Sequence, residues 1–416
     1  DGPFILSHHD PNTIYAGTNI LWKSTDGGDA WTALGDLTTG VNRRNLPIMG
    51  MAPHDTTLSL DDGIPYYPTL TAVAESPMDP SLLYAGSDDG NFQVSRDGGQ
   101  TWIEASARMP GLPRSTWING IEASRYEEGT VYVAINNYRN DDFTNYVYRS
   151  ADYGATWQAI TNGLPDRRVA RTIREDPTNS DLLYLGTELG LFISLDRGDR
   201  WVELRNNLPL AAINDLVVHP RDNDLVLGTH GRGSWILDNL SALQELTPGV
   251  LAADAHLAGI PDAEMIRYTR AHAHAGDMIF RGKNPAAGAL IDYYLKEPAA
   301  KDAIQLAIHD AAGTLIRELA PDSTAGINRM VWDLRYPRLP AAPVDTLHID
   351  HTLIRTRNTS PEGPSGPWVT PGLYTARLTV NGRTHSRTFI VDEDPRITLP
   401  VEQRRRWTDT LLEIAD

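Results

Sequence analysis

The sequence predicts an all-β chain: about five four-stranded propeller blades over residues 1–246, then a β-sandwich, then the start of a C-terminal helix. Three observations carry this expectation. The pattern S-x-D-x-G-x-x-W occurs four times, in KSTDGGDAW, VSRDGGQTW, RSADYGATW and ISLDRGDRW, with its serines at Ser24, Ser95, Ser150 and Ser194. Each copy lies between short runs rich in β-branched and aromatic residues, such as NFQVS before and WIEA after, which alternate as strands do. The pattern stops after Leu246, and strand signals return with a different spacing. A supersecondary unit repeated at this length marks a propeller or a solenoid.

The four copies read as hairpin turns. Asp26, Asp97, Asp152 and Asp196 suit such turns because a carboxylate can accept from nearby backbone N–H groups. The glycine two residues on supplies a positive φ. Trp31, Trp102, Trp157 and Trp201 then open the next strand, each with a large apolar face to pack between neighbouring sheets. These residues are expected to be structural, since an acid repeated once per unit cannot gather into one active site.

The unit extends upstream. TAVAESPMDPSLLYAGSDDGNFQVSRDGGQTWIEA reads as strands at 71–75, 82–85, 91–95 and 101–105. The same order recurs in ARTIREDPTNSDLLYLGTELGLFISLDRGDRWVEL, with a longer middle loop from Asn119, in the opening segment, and in INDLVVHPRDNDLVLGTHGRGSWILDNL, which lacks the Asp turn. Five such sheets in series read as propeller blades. The turns resemble the Asp-box, or bacterial neuraminidase repeat, and the arrangement resembles the sortilin-like and glycosyl-hydrolase-like Asp-box propellers of bacteria. GTHGRGSWILDNLSALQEL is similar to the segment that closes the propeller in that group. The resemblance covers roughly residues 1–246. It implies the fold; sialidases, xyloglucanases and sortilin-type receptors all carry the motif, away from the active face.

Residues 247–276, small and bearing Pro and Gly, read as a linker and first strand region. Residues 277–396 carry hairpins such as HDAAGTLIREL and VNGRTHSR, at the spacing of a β-sandwich. This order resembles the immunoglobulin-like domain of flagellar hook-capping proteins. A Pro-rich insertion at 337–371 is expected to run over the surface, and 397–416 begins a helical pattern. The opening DGPFILSHHD lacks a signal peptide's charged and apolar regions and reads as a blade already under way, while the far end stops inside a helical pattern. A fragment or processed piece of a longer chain is the expectation, with the rest of the propeller supplied by another segment or chain.

A formal net charge of −17 and a pI near 5.1 argue against nucleic acid and anionic membrane surfaces as partners. With no cysteine, disulfides and thiol chemistry are excluded. No run approaches a membrane span. An acidic, cysteine-free β protein rich in Trp and Tyr fits a secreted, periplasmic or cell-surface bacterial setting.

Blade topology sorts the polar residues. Connections between second and third strands share one mouth of a propeller with those between successive blades, and the Asp-box turns lie opposite. The first set supplies Asp88, Asp89, Tyr138, Arg139, Asp142, Glu188, His230 and Arg232; the second supplies Asp61, Asp62 and Trp117. Aromatic faces for stacking and two carboxylates as acid and base are what a sugar-processing site requires. Asp89, Asp142 and Glu188 are the candidate catalytic acids, and the remaining residues a candidate ligand face. For any single acid the plainer reading, a turn carboxylate bonding its own backbone, is favoured. Neither the arginine triad of sialidases nor the aspartate pair of xyloglucanases can be assigned here. No metal site is indicated: NNYRNDD is oxygen-rich, as calcium prefers, but lacks a recognised spacing, and His8–His9 and His272/His274 lack further ligands. Two classes of function remain, a binding or scaffold protein taking a glycan or protein ligand on this face, and a polysaccharide-active glycoside hydrolase with a carboxylate pair there.

Overall fold

The computed structural model describes residues 2–47, 51–54, 56–57, 66–266, 282, 284–338 and 365–415. Asp61, Asp62, His272, His274 and most of the Pro-rich insertion lie outside them. The chain divides into two compact units, Asp1–Leu237 and Asp238–Asp416. Residues 238–246, read from sequence as the end of the propeller, contain a short helix (Ser241–Gln244) and belong to the second unit.

The first unit is five antiparallel sheets in series, each meandering in sequence order. The first comprises Phe4–Leu6, Ile14–Gly17, Ile20–Ser24 and Thr32–Asp36. The second runs from Leu70–Glu75 to Ile103–Glu104, the third from Trp117–Ala123 to Gln158–Ala159, and the fourth from Ala170–Glu175 to Val202–Glu203. The fifth has three strands, Ile213–Val218, Leu225–Thr229 and Ser234–Leu237. Successive sheets stack face to face. Tyr15 and Leu21 of the first meet Val73, Leu83 and Ala85 of the second; Tyr84 and Phe92 of the second meet Ile118 and Val133 of the third; Val147 of the third meets Leu185 and Trp201 of the fourth. Polar links tie neighbouring first strands as well: Thr71 Oγ1 donates to the Ile118 carbonyl at 2.6 Å, and Asn119 Nδ2 to that of Arg171 at 2.8 Å. Strands covered on both faces are mostly apolar, and Leu83–Ser87 and Leu183–Thr187 are buried along their whole length.

All four Asp-box turns share one geometry. In the second sheet Ser95 Oγ donates to Asp97 Oδ1 at 2.8 Å and accepts from the Gly99 N–H at 2.8 Å, while Asp97 Oδ1 accepts from the Thr101 N–H at 2.9 Å. The equivalent bonds join Asp26 to Ala30, Asp152 to Thr156 and Asp196 to Arg200. The glycine is required twice over at Gly198: its φ is +92°, and a Cβ there would come within 2.6 Å of Ile160 Cδ1 in the preceding sheet. The hairpin tip is thus pressed against its neighbour. Asp152→Ala removes the acceptor for the Thr156 N–H and hydroxyl, and is expected to destabilise the unit by about 1 kcal/mol in urea denaturation without changing ligand binding.

The tryptophans share this contact, with one difference. The Trp102 indole N–H donates to the Leu34 carbonyl of the first sheet at 3.1 Å, and that of Trp201 to the Ile160 carbonyl of the third at 2.7 Å. Trp157 stands edge-on to Phe92 of the second sheet at 5.3 Å. Each packs on the sheet before its own. Trp31, expected between sheets, is instead 40 % exposed and donates to Gly28 within its own turn, because no described sheet precedes the first.

The second unit buries one core between two sheets. One is Ala255–Leu257, Ala289–Leu295 and Gly326–Trp332; the other has five strands, with Ile304–Asp310, Gly372–Val380 and Arg383–Asp392 at its centre. Ile291, Tyr293 and Trp332 from the first face Leu306, Ala376 and Phe389 from the second. The chain ends in the helix Val401–Ala415.

Candidate functional site

Strand pairing in the second and third sheets puts two polar connections side by side. Ser87 closes one strand and Phe92 opens the next, so Asp88, Asp89 and Gly90 form a tight turn at the mouth. In the third sheet Val131–Asn137 leads through the 3-10 turn Tyr138–Asn140 into Asp142–Ser150. Between them lies a pocket of about 830 Å³, whose lining includes Tyr67, Asp88, Trp117, Asn136, Arg139 and Asp141. Arg43 and Arg114 reach it from the connections between sheets.

The two aspartates of the turn are used differently. Asp89 is buried and fully engaged: its carboxylate accepts from the Ser87 hydroxyl, from the Thr39 N–H at 2.8 Å and from the Thr39 hydroxyl at 2.5 Å. Asp88 is also buried, at 4 % exposure, but only Oδ1 is bonded, by the Thr69 N–H at 2.8 Å. Among the described residues Oδ2 has no hydrogen-bond partner. Burial pushes the Asp88 carboxyl up to about 6; the Thr69 N–H and Arg139 pull it down, and the neighbouring Asp89 charge pushes it further up. Asn136 is fully buried, and while its Nδ2 donates to Asn119 Oδ1 at 2.9 Å, its own Oδ1 is likewise unpartnered. A buried acceptor without a donor costs free energy of desolvation, and both atoms belong to residues lining the pocket.

Aromatic and cationic groups alternate along the rim. The Arg139 guanidinium lies 3.8 Å from the Trp117 ring centre and 5.0 Å from that of Tyr138; Arg171, from the fourth sheet, lies 4.8 Å from the Tyr138 ring centre. Stacking of this kind holds flat groups rigid at modest entropic cost. Burial, with the Asp89 and Asp88 charges, pushes the Tyr67 hydroxyl up to about 12.

Of the residues singled out in the sequence, the structure therefore gathers Asp88, Trp117 and Arg139 around one cavity, with Tyr138 beside them. The three candidate acids are elsewhere engaged. Asp142 accepts from Asn137 Nδ2 at 2.8 Å, the Tyr146 hydroxyl at 2.8 Å and the Thr144 N–H at 3.0 Å; burial alone would raise its carboxyl, but these bonds outweigh it and hold it near 2. Glu188 is clamped by Arg171, at 2.7 Å from Nε and 2.5 Å from an Nη. Asp89 braces the Thr39 loop. His230 and Arg232 are exposed on the turn of the fifth sheet, outside this lining. Asn136 and Arg114 also line the pocket; Asn136 was visible in sequence as a residue of the same connection, and nothing marked its buried, half-satisfied amide. Among the described residues no group of three or more His, Asp or Glu could hold a metal ion, and no described helix is long and apolar enough to cross a membrane.

Comparison with known proteins gives partial matches. Residues 145–241 match the Sortilin-Vps10 family model, described as "Sortilin, neurotensin receptor 3". The chain is 28 % identical over 136 residues to the xyloglucanase Xgh74A of Acetivibrio thermocellus, an alignment covering 30 % of this chain and 16 % of that protein. It is 28 % identical over 147 residues to a xyloglucanase of Hypocrea jecorina, covering 33 % and 16 %. These alignments span less than a fifth of the relatives' length. Among solved structures, the GH74 xyloglucanase from Xanthomonas campestris aligns with a TM-score of 0.43 and 14 % identity over 92 % of this chain and 70 % of that one. YCF48 bound to D1 peptide gives 0.35 and 18 % over 54 % and 62 %. With its four Asp-box hairpins, its sheets in series and the match over residues 145–241, the first unit is an Asp-box β-propeller fold, similar to sortilin-like and glycosyl-hydrolase-like propellers.

Proposed function

We propose that the pocket between the second and third sheets is a carbohydrate-binding site, in a bacterial protein that works outside the cytoplasm. The observation that carries this is the pair of buried acceptors, Asp88 Oδ2 and Asn136 Oδ1, that find no donor among the described residues, in the wall of a cavity flanked by Trp117, Tyr67 and Arg139. Such a wall selects a ligand with several hydroxyl donors and a flat face, as a pyranose ring has. The relatives named above are xyloglucanases, so xyloglucan oligosaccharides are the first ligands to test.

One observation favours a hydrolase on the same site. A carboxyl raised to about 6 stays protonated into the pH range where a general acid works, and Asp141 supplies a second carboxylate in the lining. Isothermal titration with xyloglucan oligosaccharides and reducing-end release at pH 5 separate the two. Trp117→Ala is expected to weaken binding about five- to thirtyfold, the loss that about 1–2 kcal/mol of aromatic contact corresponds to. Release of reducing ends that Asp88→Asn abolishes establishes the hydrolase; binding without release establishes the binding module. Wild-type protein that neither binds nor cleaves any neutral or acidic plant or bacterial glycan overturns the proposal.

A further inference from the structure

The seams between neighbouring sheets can be compared position by position. In each sheet the last pair between the first and second strands is equivalent: Leu6 with Ile14, Glu75 with Leu83, Ala123 with Val131, Glu175 with Leu183. The seam between the first and second sheets is fastened at this level. Glu75 accepts from the His8 N–H at 2.7 Å and from the Tyr15 hydroxyl at 3.1 Å, and His9 Nε2 meets the Ser76 carbonyl at 2.8 Å. The seam between the third and fourth sheets is fastened alike. Glu175 accepts from the Arg125 N–H at 2.8 Å, and the Tyr126 hydroxyl donates to the Asp176 carbonyl at 3.1 Å.

Between the second and third sheets donor and acceptor are lost together. Pro77 and Met78 hold the places of His8 and His9, so one has no N–H and the other no side-chain donor. Ala123 holds the place of Glu75, and Tyr84 that of Tyr15. The Tyr84 hydroxyl is buried and finds no partner among the described residues. Pro177 and Val218 repeat the loss between the fourth and fifth sheets. The outer edge of the second–third seam is unfastened too. Trp102 and Trp201 each donate to the carbonyl three residues after the preceding sheet's tryptophan, that of Leu34 or Ile160. The corresponding carbonyl for Trp157 is that of Ala105, which instead accepts from the Arg108 N–H at 3.2 Å in the turn Ser106–Arg108. The Trp157 indole N–H is left buried, with no partner among the described residues. The seam keeps an apolar layer that includes Phe92, Ile118 and Val133, the Thr71 bond to the Ile118 carbonyl, and the exposed Arg96 stacked 3.8 Å from the Tyr153 ring centre.

We infer that the first four sheets move as two fastened pairs, first with second and third with fourth, and that the seam between the pairs opens while each pair stays folded. Buried polar atoms without partners raise the free energy of the closed seam, and opening gives the Tyr84 hydroxyl and the Trp157 indole water to bond. Sub-global openings of this kind follow the weakest contacts between cooperative units. Asp88 stands on one pair, and Trp117, Asn136 and Arg139 on the other. Opening therefore draws apart the walls of the pocket. The motion needs no ligand and stands apart from the carbohydrate reading.

Val133 and Ala134 are neighbours on one strand and both fully buried, Val133 in the second–third seam and Ala134 in the third–fourth. Because the chain has no cysteine, Val133→Cys and Ala134→Cys each give a single thiol whose labelling rate reports opening of one seam. Without ligand, the thiol of Val133→Cys is expected to react about ten times faster or more than that of Ala134→Cys. Its rate should be nearly independent of urea below the unfolding transition, while that of Ala134→Cys rises with urea as global unfolding does. Ala105→Cys, buried in the same seam as Val133, replaces Val133→Cys if that variant does not fold. Adding Pro77→His, Met78→His and Ala123→Glu transplants the first seam's fastening, and should slow labelling of the second–third seam to the rate of Ala134→Cys. Labelling of both seams at one rate, with the urea dependence of global unfolding, overturns the inference. So does a folded transplant in which the second–third seam labels as fast as before.

Discussion

Asp88→Asn raises the stability of the propeller at pH 8 by about 2 kcal/mol and leaves it nearly unchanged at pH 4. The carboxyl titrates near 6 in the folded chain, against 3.8 for an unperturbed aspartate, with burial as the leading cause. The folded state therefore binds a proton that the unfolded state releases between about pH 4 and 6. Over that window the contribution of Asp88 to stability falls as pH rises, and above it the cost stays constant. Two pKa units correspond to roughly 3 kcal/mol, reduced in the variant by an amide N–H₂ that replaces Oδ2 and meets no acceptor. Urea denaturation at pH 4, 6 and 8 checks it; equal destabilisation at all three values would mean the buried carboxylate is internally satisfied. The same variant separates chemistry from folding in the carbohydrate assays, because a protein made more stable at neutral pH cannot lose activity through unfolding.

That Asp88 keeps an oxygen without a partner among the described residues while Asp89 is fully bonded shows where the sequence stops being informative. Adjacent turn residues point in different directions. Asp89 is claimed by the Thr39 backbone and hydroxyl, fifty residues earlier in the chain, and no local pattern announces that bond. Asp142 is taken by its own turn and Glu188 by Arg171. The Asp-box hairpins were legible because the serine and aspartate bonds that shape them run within four residues, from the Gly99 N–H to Ser95 Oγ for example. Hydrophobic alternation and repeated turn chemistry likewise marked the sheets and their order. The environment of each repeat was not legible: Trp31 and Trp201 occupy the same motif position, yet one is 40 % exposed and the other 2 %. The difference is the presence of a neighbouring sheet, and a single unit of the repeat carries no record of its neighbours.

Glu175→Ala is expected to destabilise the propeller by about 3 kcal/mol, one of the two largest effects anticipated. Glu175 ends the first strand of the fourth sheet and is 3 % exposed. Its carboxylate reaches back to the third sheet, accepting from Ser124 Oγ at 2.8 and 3.0 Å and from the Arg125 N–H at 2.8 Å. Ser124 Oγ in turn accepts the N–H groups of Tyr126 and Glu127, which fixes the turn between the first two strands. Burial pushes the Glu175 carboxyl up, against the pull of the Arg125 N–H, Ser124 and the Arg125 charge, so the acid is held at a desolvation cost and its removal strands two buried donors. Glu75 repeats the arrangement between the first two sheets, accepting from the His8 N–H at 2.7 Å and the Tyr15 hydroxyl at 3.1 Å. The third sheet has Ala123 at this position, so the clasp joins first to second and third to fourth but not second to third. Two such separate clasps should act independently, and the Glu75→Ala/Glu175→Ala double variant should lose the sum of the single losses within about 0.5 kcal/mol. Glu175→Gln keeps one acceptor oxygen and should cost about 1 kcal/mol. Urea midpoints for the four variants decide the matter: a loss below about 0.5 kcal/mol for Glu175→Ala would show that the Ser124 turn holds without its clasp, and that sheet-on-sheet apolar contact alone sets the register of the third and fourth sheets.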